Sequence, residues 1–121
     1  MILSLRHADL PEALPLLIKG ANLIVRAGLL EKGAALCHGS DGNGVALLEL
    51  YRRTGDPAWL AQARRFAMGA LAQSAAGFAK YGQWRPSLWT GDAGLACYVL
   101  DCLRGASSRS EERRVGKECL R

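Results

Sequence analysis

Gly39-Ser40-Asp41-Gly42 is followed 52 residues later by Gly91-Asp92-Ala93-Gly94, and each glycine pair stands at or just before the start of an apolar stretch with helical periodicity. Two glycines at this spacing let the backbone turn tightly into a helix and leave room at its N-terminus. A helical-hairpin unit of about 50 residues that recurs predicts an α/α-toroid or α-solenoid, because one such unit cannot bury its inner face alone. Two copies are few for a closed ring. The expected architecture is therefore all-α and incomplete, an α/α-toroid or an α-solenoid with glycine-rich turns at the starts of its inner helices. Apolar faces left uncovered by missing repeats predict self-association.

The composition agrees with helices. Half of the 121 residues are hydrophobic, Leu, Ala and Gly dominate, and β-branched residues are scarce. Four helical stretches are predicted. The first covers residues 10–27, with Leu14, Leu17, Ile18, Ala21, Ile24 and Val25 at three- and four-residue steps and Gly28 as its end. Pro11 suits a first turn, whereas Pro15 either costs an early hydrogen bond or shifts the start. The second covers residues 43–53. In Thr54-Gly55-Asp56-Pro57, Asp56 is placed to cap and Pro57 to open a third helix over residues 57–76. A long loop, 77–90, precedes a fourth helix over residues 92–103.

Several functions are excluded by what the chain lacks. No apolar run reaches the length of a membrane span. The start, Met1 to His7, does not read as a signal peptide. Cys37, Cys97, Cys102 and Cys119 form no regular disulfide framework, so a reducing, cytoplasmic setting is expected. Cys97 and Cys102 read as small buried hydrophobes within the last helix. The net charge of +5 includes five basic and three acidic residues in the last thirteen, and the remaining charges are scattered. That is a solvated surface and not a nucleic-acid footprint.

Cys37 and His38 are adjacent and followed by Gly39. Thiolate and imidazole are the preferred ligands of zinc. Neighbouring side chains on a helix diverge by about 100°, but a turn made pliable by glycine can bring both to one ion. A Cys-His dipeptide alone is weak evidence, and its surroundings give it meaning. Gly28-Leu29-Leu30-Glu31-Lys32-Gly33, then Leu36-Cys37-His38-Gly39-Ser40-Asp41-Gly42-Asn43-Gly44, then Leu50-Tyr51, Thr54-Gly55-Asp56 and Trp59-Leu60, then Ser87-Leu88-Trp89-Thr90-Gly91-Asp92-Ala93-Gly94 resembles, in order and spacing, the C-terminal part of lanthionine synthetase C-like (LanC-like) proteins. The resemblance covers about residues 1–105.

The resemblance implies an α/α-toroid in which zinc is held by three protein ligands. Two of them map onto Cys37 and His38. The third is a cysteine of an earlier Cys-x-x-Gly-type motif, expected before Met1 and absent here, so the zinc site is incomplete in this chain. The implied chemistry is addition of a thiol, from a peptide cysteine or glutathione, to dehydroalanine or dehydrobutyrine, giving a thioether. The partners of the intact parent are then a dehydrated peptide or glutathione. Acid–base groups are implied to lie in earlier repeats, and His7 is a poor substitute. No catalytic residue is assigned in this chain, which alone is expected to be inactive. Lys32 and Arg85 are candidates to bind a substrate carboxylate.

The segment Arg109 to Cys119 resembles the peptide read from a common sequencing adapter; a natural charged tail is the alternative. Residues 106–121 are accordingly set apart as a disordered tail, and Cys119 carries no role. Asn43 is expected to cap or orient the turn, and Trp59, Phe66, Trp84 and Trp89 to pack. Asp41 and Asp92 read as turn or capping residues, and a carbohydrate-active toroid is disfavoured because they make no convincing catalytic pair. A non-catalytic helical interaction module is the alternative function.

Overall fold

The computed structural model describes residues 11–31 and 33–105. His7, Lys32 and Cys119, and the boundary drawn at residue 106, lie outside them. The described residues form four helices and no strand: α1 (Ala13–Ala27), α2 (Ser40–Thr54), α3 (Pro57–Tyr81) and α4 (Asp92–Arg104). None is long and apolar enough to cross a membrane.

α1 begins at Ala13, which resolves the two prolines. Pro11 precedes the helix, and Pro15 falls in its first turn, where backbone N–H groups have no intrahelical acceptor. Gly28 ends it, its N–H bonded to the Ile24 carbonyl at 3.0 Å. Between α2 and α3 the expected capping is observed: Asp56 accepts from the Ala58 N–H at 2.9 Å and Pro57 takes the first helical position.

Two helix boundaries differ from the sequence-based expectation. α2 starts at Ser40 rather than Asn43, so Gly42, Asn43 and Gly44 are helical and Asn43 does not cap. Glycine is a poor helix former, and it is present here because neighbours come too close for a side chain. A Cβ at Gly44 would overlap the phenol of Tyr98. α3 runs five residues past Ala76, through Gly77, and stops where Gly82 adopts a left-handed φ of 71°. Phe78, in the added turn, stacks on Trp84 with ring centroids 4.4 Å apart.

α3 packs most extensively on α2, then on α4, while α1 and α4 both lean on α2. The core is Leu17 and Ala21 from α1, Leu47, Leu48 and Leu50 from α2, Ala63, Phe66, Ala67 and Ala70 from α3, and Leu95, Tyr98 and Cys102 from α4. The small residues of α3 let α2 and α4 approach closely. Polar ties also cross the α3–α4 interface: the Tyr98 hydroxyl donates to the Ala63 carbonyl, and Arg64 Nε donates to the Cys102 carbonyl at 3.0 Å. Glu49, buried on α2, accepts from Arg52 Nε and Nη2 at 2.9 and 2.5 Å. Leu16, Leu23, Leu100 and Leu103 remain exposed.

The glycines therefore divide into two kinds. Gly44→Ala is expected to lower stability by about 1–3 kcal/mol, because the phenol of Tyr98 has nowhere to go. Gly77→Ala meets nothing within 4 Å and is expected to raise stability by up to about 1 kcal/mol. Thermal or urea unfolding of the two variants measures the difference.

Candidate functional site

The sequence repeat is reproduced in the backbone closure of both turns. In the first turn the Ser40 N–H donates to the Gly33 carbonyl at 2.9 Å; in the second, the Asp92 N–H donates to the Arg85 carbonyl at 2.7 Å. Gly33 and Arg85, like Ser40 and Asp92, are 52 residues apart. A Cβ at Gly42 would strike the Leu36 carbonyl, and one at Gly94 the Leu88 carbonyl, again an equivalent pair. The first side chain of each helix then fastens its own loop. Ser40 Oγ accepts from the Leu30 N–H at 3.2 Å, whereas Asp92 Oδ2 accepts from the Arg85 N–H at 2.6 Å. Asp92 Oδ1 also accepts from the Ser74 hydroxyl on α3. The two turns meet where the Cys37 N–H donates to the Trp89 carbonyl at 3.3 Å.

Cys37 and His38 sit at the crest of the first turn, both exposed. The turn is not yet helical, so the neighbouring side chains converge, with Cys37 Sγ and His38 Nδ1 2.6 Å apart. The donor types suit zinc. Two ligands do not complete a site, and among the described residues no group of three or more His, Cys, Asp or Glu is placed to hold a metal ion.

His38 forms part of the wall of a cavity of about 270 Å³, with Glu31, Ser74, Arg85 and Asp92 around it. Its lining includes the aromatic residues Phe78 and Tyr81 from the end of α3. The Arg85 guanidinium lies 5.8 Å, and the Lys80 ammonium 5.2 Å, from the centre of the Tyr81 ring. Of the two candidate carboxylate binders, Arg85 is thus exposed beside the cavity, and Lys32 is outside the described residues. Gln73 Nε2 closes the floor of this region by donating to the Leu30 carbonyl at 2.7 Å.

Several residues depart from their expected roles. Asp92 does bind within its turn, but Asp41 does not cap: it is fully buried and neither carboxylate oxygen has a hydrogen-bond partner. Burial, and secondarily the charge of Asp92, pushes its carboxyl up to about 7. Cys102 is buried as expected, its thiol pushed up to about 11 mainly by burial, whereas Cys97 is exposed on the outer side of α4. Phe66 is in the core and Trp59 packs against it, but Trp84 and Trp89 are exposed. The anchoring of Asp92 by Ser74 was hidden in the sequence, since the bond spans 18 positions and nothing local marks it.

With this geometry the chain belongs to the lanthionine synthetase C-like family, whose model matches residues 1–112. Glutathione S-transferase LANCL1 of Danio rerio is 35% identical over 91 residues, covering 72% of this chain and 21% of that protein. The chain thus spans about a fifth of the length of the curated relative it matches. No solved structure matches it.

Asp92 joins the cavity wall to both α3 and the Arg85 backbone. Asp92→Ala is expected to lower stability by about 1–3 kcal/mol, since the Ser74 hydroxyl and Arg85 N–H lose their acceptor. Hydrogen exchange should show faster exchange at the Arg85 amide, with the α2 core unaffected.

Proposed function

We propose that this chain supplies Cys37 and His38 as two ligands of a zinc-dependent α/α-toroid enzyme that adds a thiol to dehydroalanine or dehydrobutyrine. The observation that carries the reading is the convergence of Cys37 Sγ on His38 Nδ1, with His38 lining a cavity, in a member of the LanC-like family. A relative named glutathione S-transferase supports a thiol as the nucleophile, either glutathione or a peptide cysteine. The third ligand is a donor from outside the described residues.

Zinc, when bound, supplies the positive charge that keeps a substrate thiol ionised at neutral pH. The addition forms one carbon–sulfur bond at the β-carbon of the dehydrated residue, and the α-carbon takes up a proton. The chain's own residues bind and orient. Arg85 is positioned to pair with a carboxylate of the thiol substrate, its loop fixed by the Asp92 carboxylate. Glycine turns keep the two loops close to the helix starts, so that His38 and Arg85 line one cavity.

Zinc titration of the full 121-residue chain is expected to show weak binding that is lost in both Cys37→Ala and His38→Ala. Tight stoichiometric zinc would overturn the count of two ligands. Binding untouched by either substitution would overturn the metal assignment. It would favour a non-catalytic helical interaction module, for which the exposed Leu16, Leu23, Leu100 and Leu103 offer apolar surface. In a protein with the complete ligand set, glutathione addition to a dehydroalanine peptide should fall at least about 100-fold with either substitution.

A further inference from the structure

Asp41 is the second residue of α2, three positions after His38, and its side chain is fully buried. Neither of its oxygens accepts a hydrogen bond. A carboxylate in that state is far more costly to keep folded than a neutral carboxyl group. Beyond burial, the charge of Asp92 on α4 pushes the Asp41 carboxyl up, and Asp41 in turn adds to the upward push on the Tyr98 hydroxyl and the Cys102 thiol of the same helix. None is a cation. Asp92 is itself held by the Ser74 hydroxyl and the Arg85 N–H, and its charge opposes ionisation of Asp41. The Tyr98 hydroxyl is committed to the Ala63 carbonyl, and Arg64, an α3 cation whose charge acts on Cys102, donates to the Cys102 carbonyl. The N-terminal end of α2 favours an anion, but its N–H groups give Asp41 no bond.

We propose that Asp41 is a proton-controlled positioning residue: its neutral carboxyl keeps the first turn of α2 docked against α4, and its ionisation releases the turn that presents Cys37 and His38. The inference goes beyond thiol addition and is tested without metal or substrate, so it can fail while the zinc reading stands, and the reverse.

The sign follows from proton linkage. Opening returns the carboxyl from about 7 toward its ordinary value of 3.8, so the closed state binds the proton more tightly. Protection of the turn is greatest in acid, is lost as pH rises through that interval, and is level above it. The experiment is hydrogen exchange of amides 36–44 in the full chain, with chelator present, from pH 5 to pH 8. Rates are referenced to those of unstructured peptide at each pH. Wild-type protection is expected to fall on the order of fifty- to a hundred-fold, more than that of amides 63–70 in α3. In Asp41→Asn, neutral at every pH, the profile should be flat. A flat wild-type profile, or the same fall in Asp41→Asn, would overturn the proposal. A carbon-13 titration of the Asp41 carboxyl in the wild-type chain gives a second measurement that does not depend on the variant folding. A midpoint well above the carboxylate range supports the switch, and one near 4 overturns it.

Discussion

Two backbone carbonyls, those of Leu36 and Leu88, lie against Gly42 and Gly94 where any Cβ would sit, and much of this structure depends on that closeness. A loop crossing a helix start must bring its polar backbone onto the helix without leaving N–H and C=O groups unpaired. Here the loop closes through Ser40 to Gly33 in one turn and Asp92 to Arg85 in the other. Bare α-carbons at Gly42 and Gly94 allow that closure. The consequence for the site is direct: Cys37 and His38 stay outside helix geometry but immediately before a rigid helix. Their donor atoms converge where side chains at successive helical positions would diverge.

The same constraint explains what could be read from the sequence. The repeat at 52 positions, the four helices and the capping of α3 by Asp56 and Pro57 are local signals and were legible. The start of α2 was not. Gly42 and Gly44 are unfavourable in a helix by propensity, and their reason for being there lies on the Leu36 carbonyl and on Tyr98 of α4. The end of α3 was misplaced for a related reason. Gly77 reads as a stop, yet the helix continues to Tyr81 because Phe78 gains a stacking partner in Trp84. In each case a tertiary contact outweighs a residue preference worth about 1 kcal/mol.

Cys37, His38 and Arg85 stand out as candidates in the sequence only with the family pattern around them, and the structure brings His38 and Arg85 to one cavity while their roles remain proposals. Charge state was not. Asp41 and Asp92 look alike in sequence, each an acid inside a glycine pair at a helix start. They occupy successive rather than equivalent positions of the repeat, since Ser40 is the counterpart of Asp92. That offset of one residue separates their fates. The first helical position faces back toward the loop, where an N–H is available; the second faces the α2–α4 interface, where none is. A sequence pattern specifies the residue type and the spacing, whereas the hydrogen-bond partner depends on which side of the helix the packed neighbour lies.

The two turns have become chemically unequal while keeping one backbone design. Cys37 corresponds to Trp89, His38 to Thr90 and Gly33 to Arg85. The first turn carries the candidate metal donors and the second an aromatic and cationic rim, joined by the bond from the Cys37 N–H to the Trp89 carbonyl. A symmetric scaffold with asymmetric side chains brings His38 of the first turn and Arg85 of the second to the wall of one cavity. Under the proposed thiol addition, that division would hold a thiol by its sulfur and by its charged end at once. Asp92 takes the place of Ser40 in the second turn, and its two oxygens tie that loop to α3 as well, accepting from the Arg85 N–H and the Ser74 hydroxyl where Ser40 Oγ accepts from the Leu30 N–H.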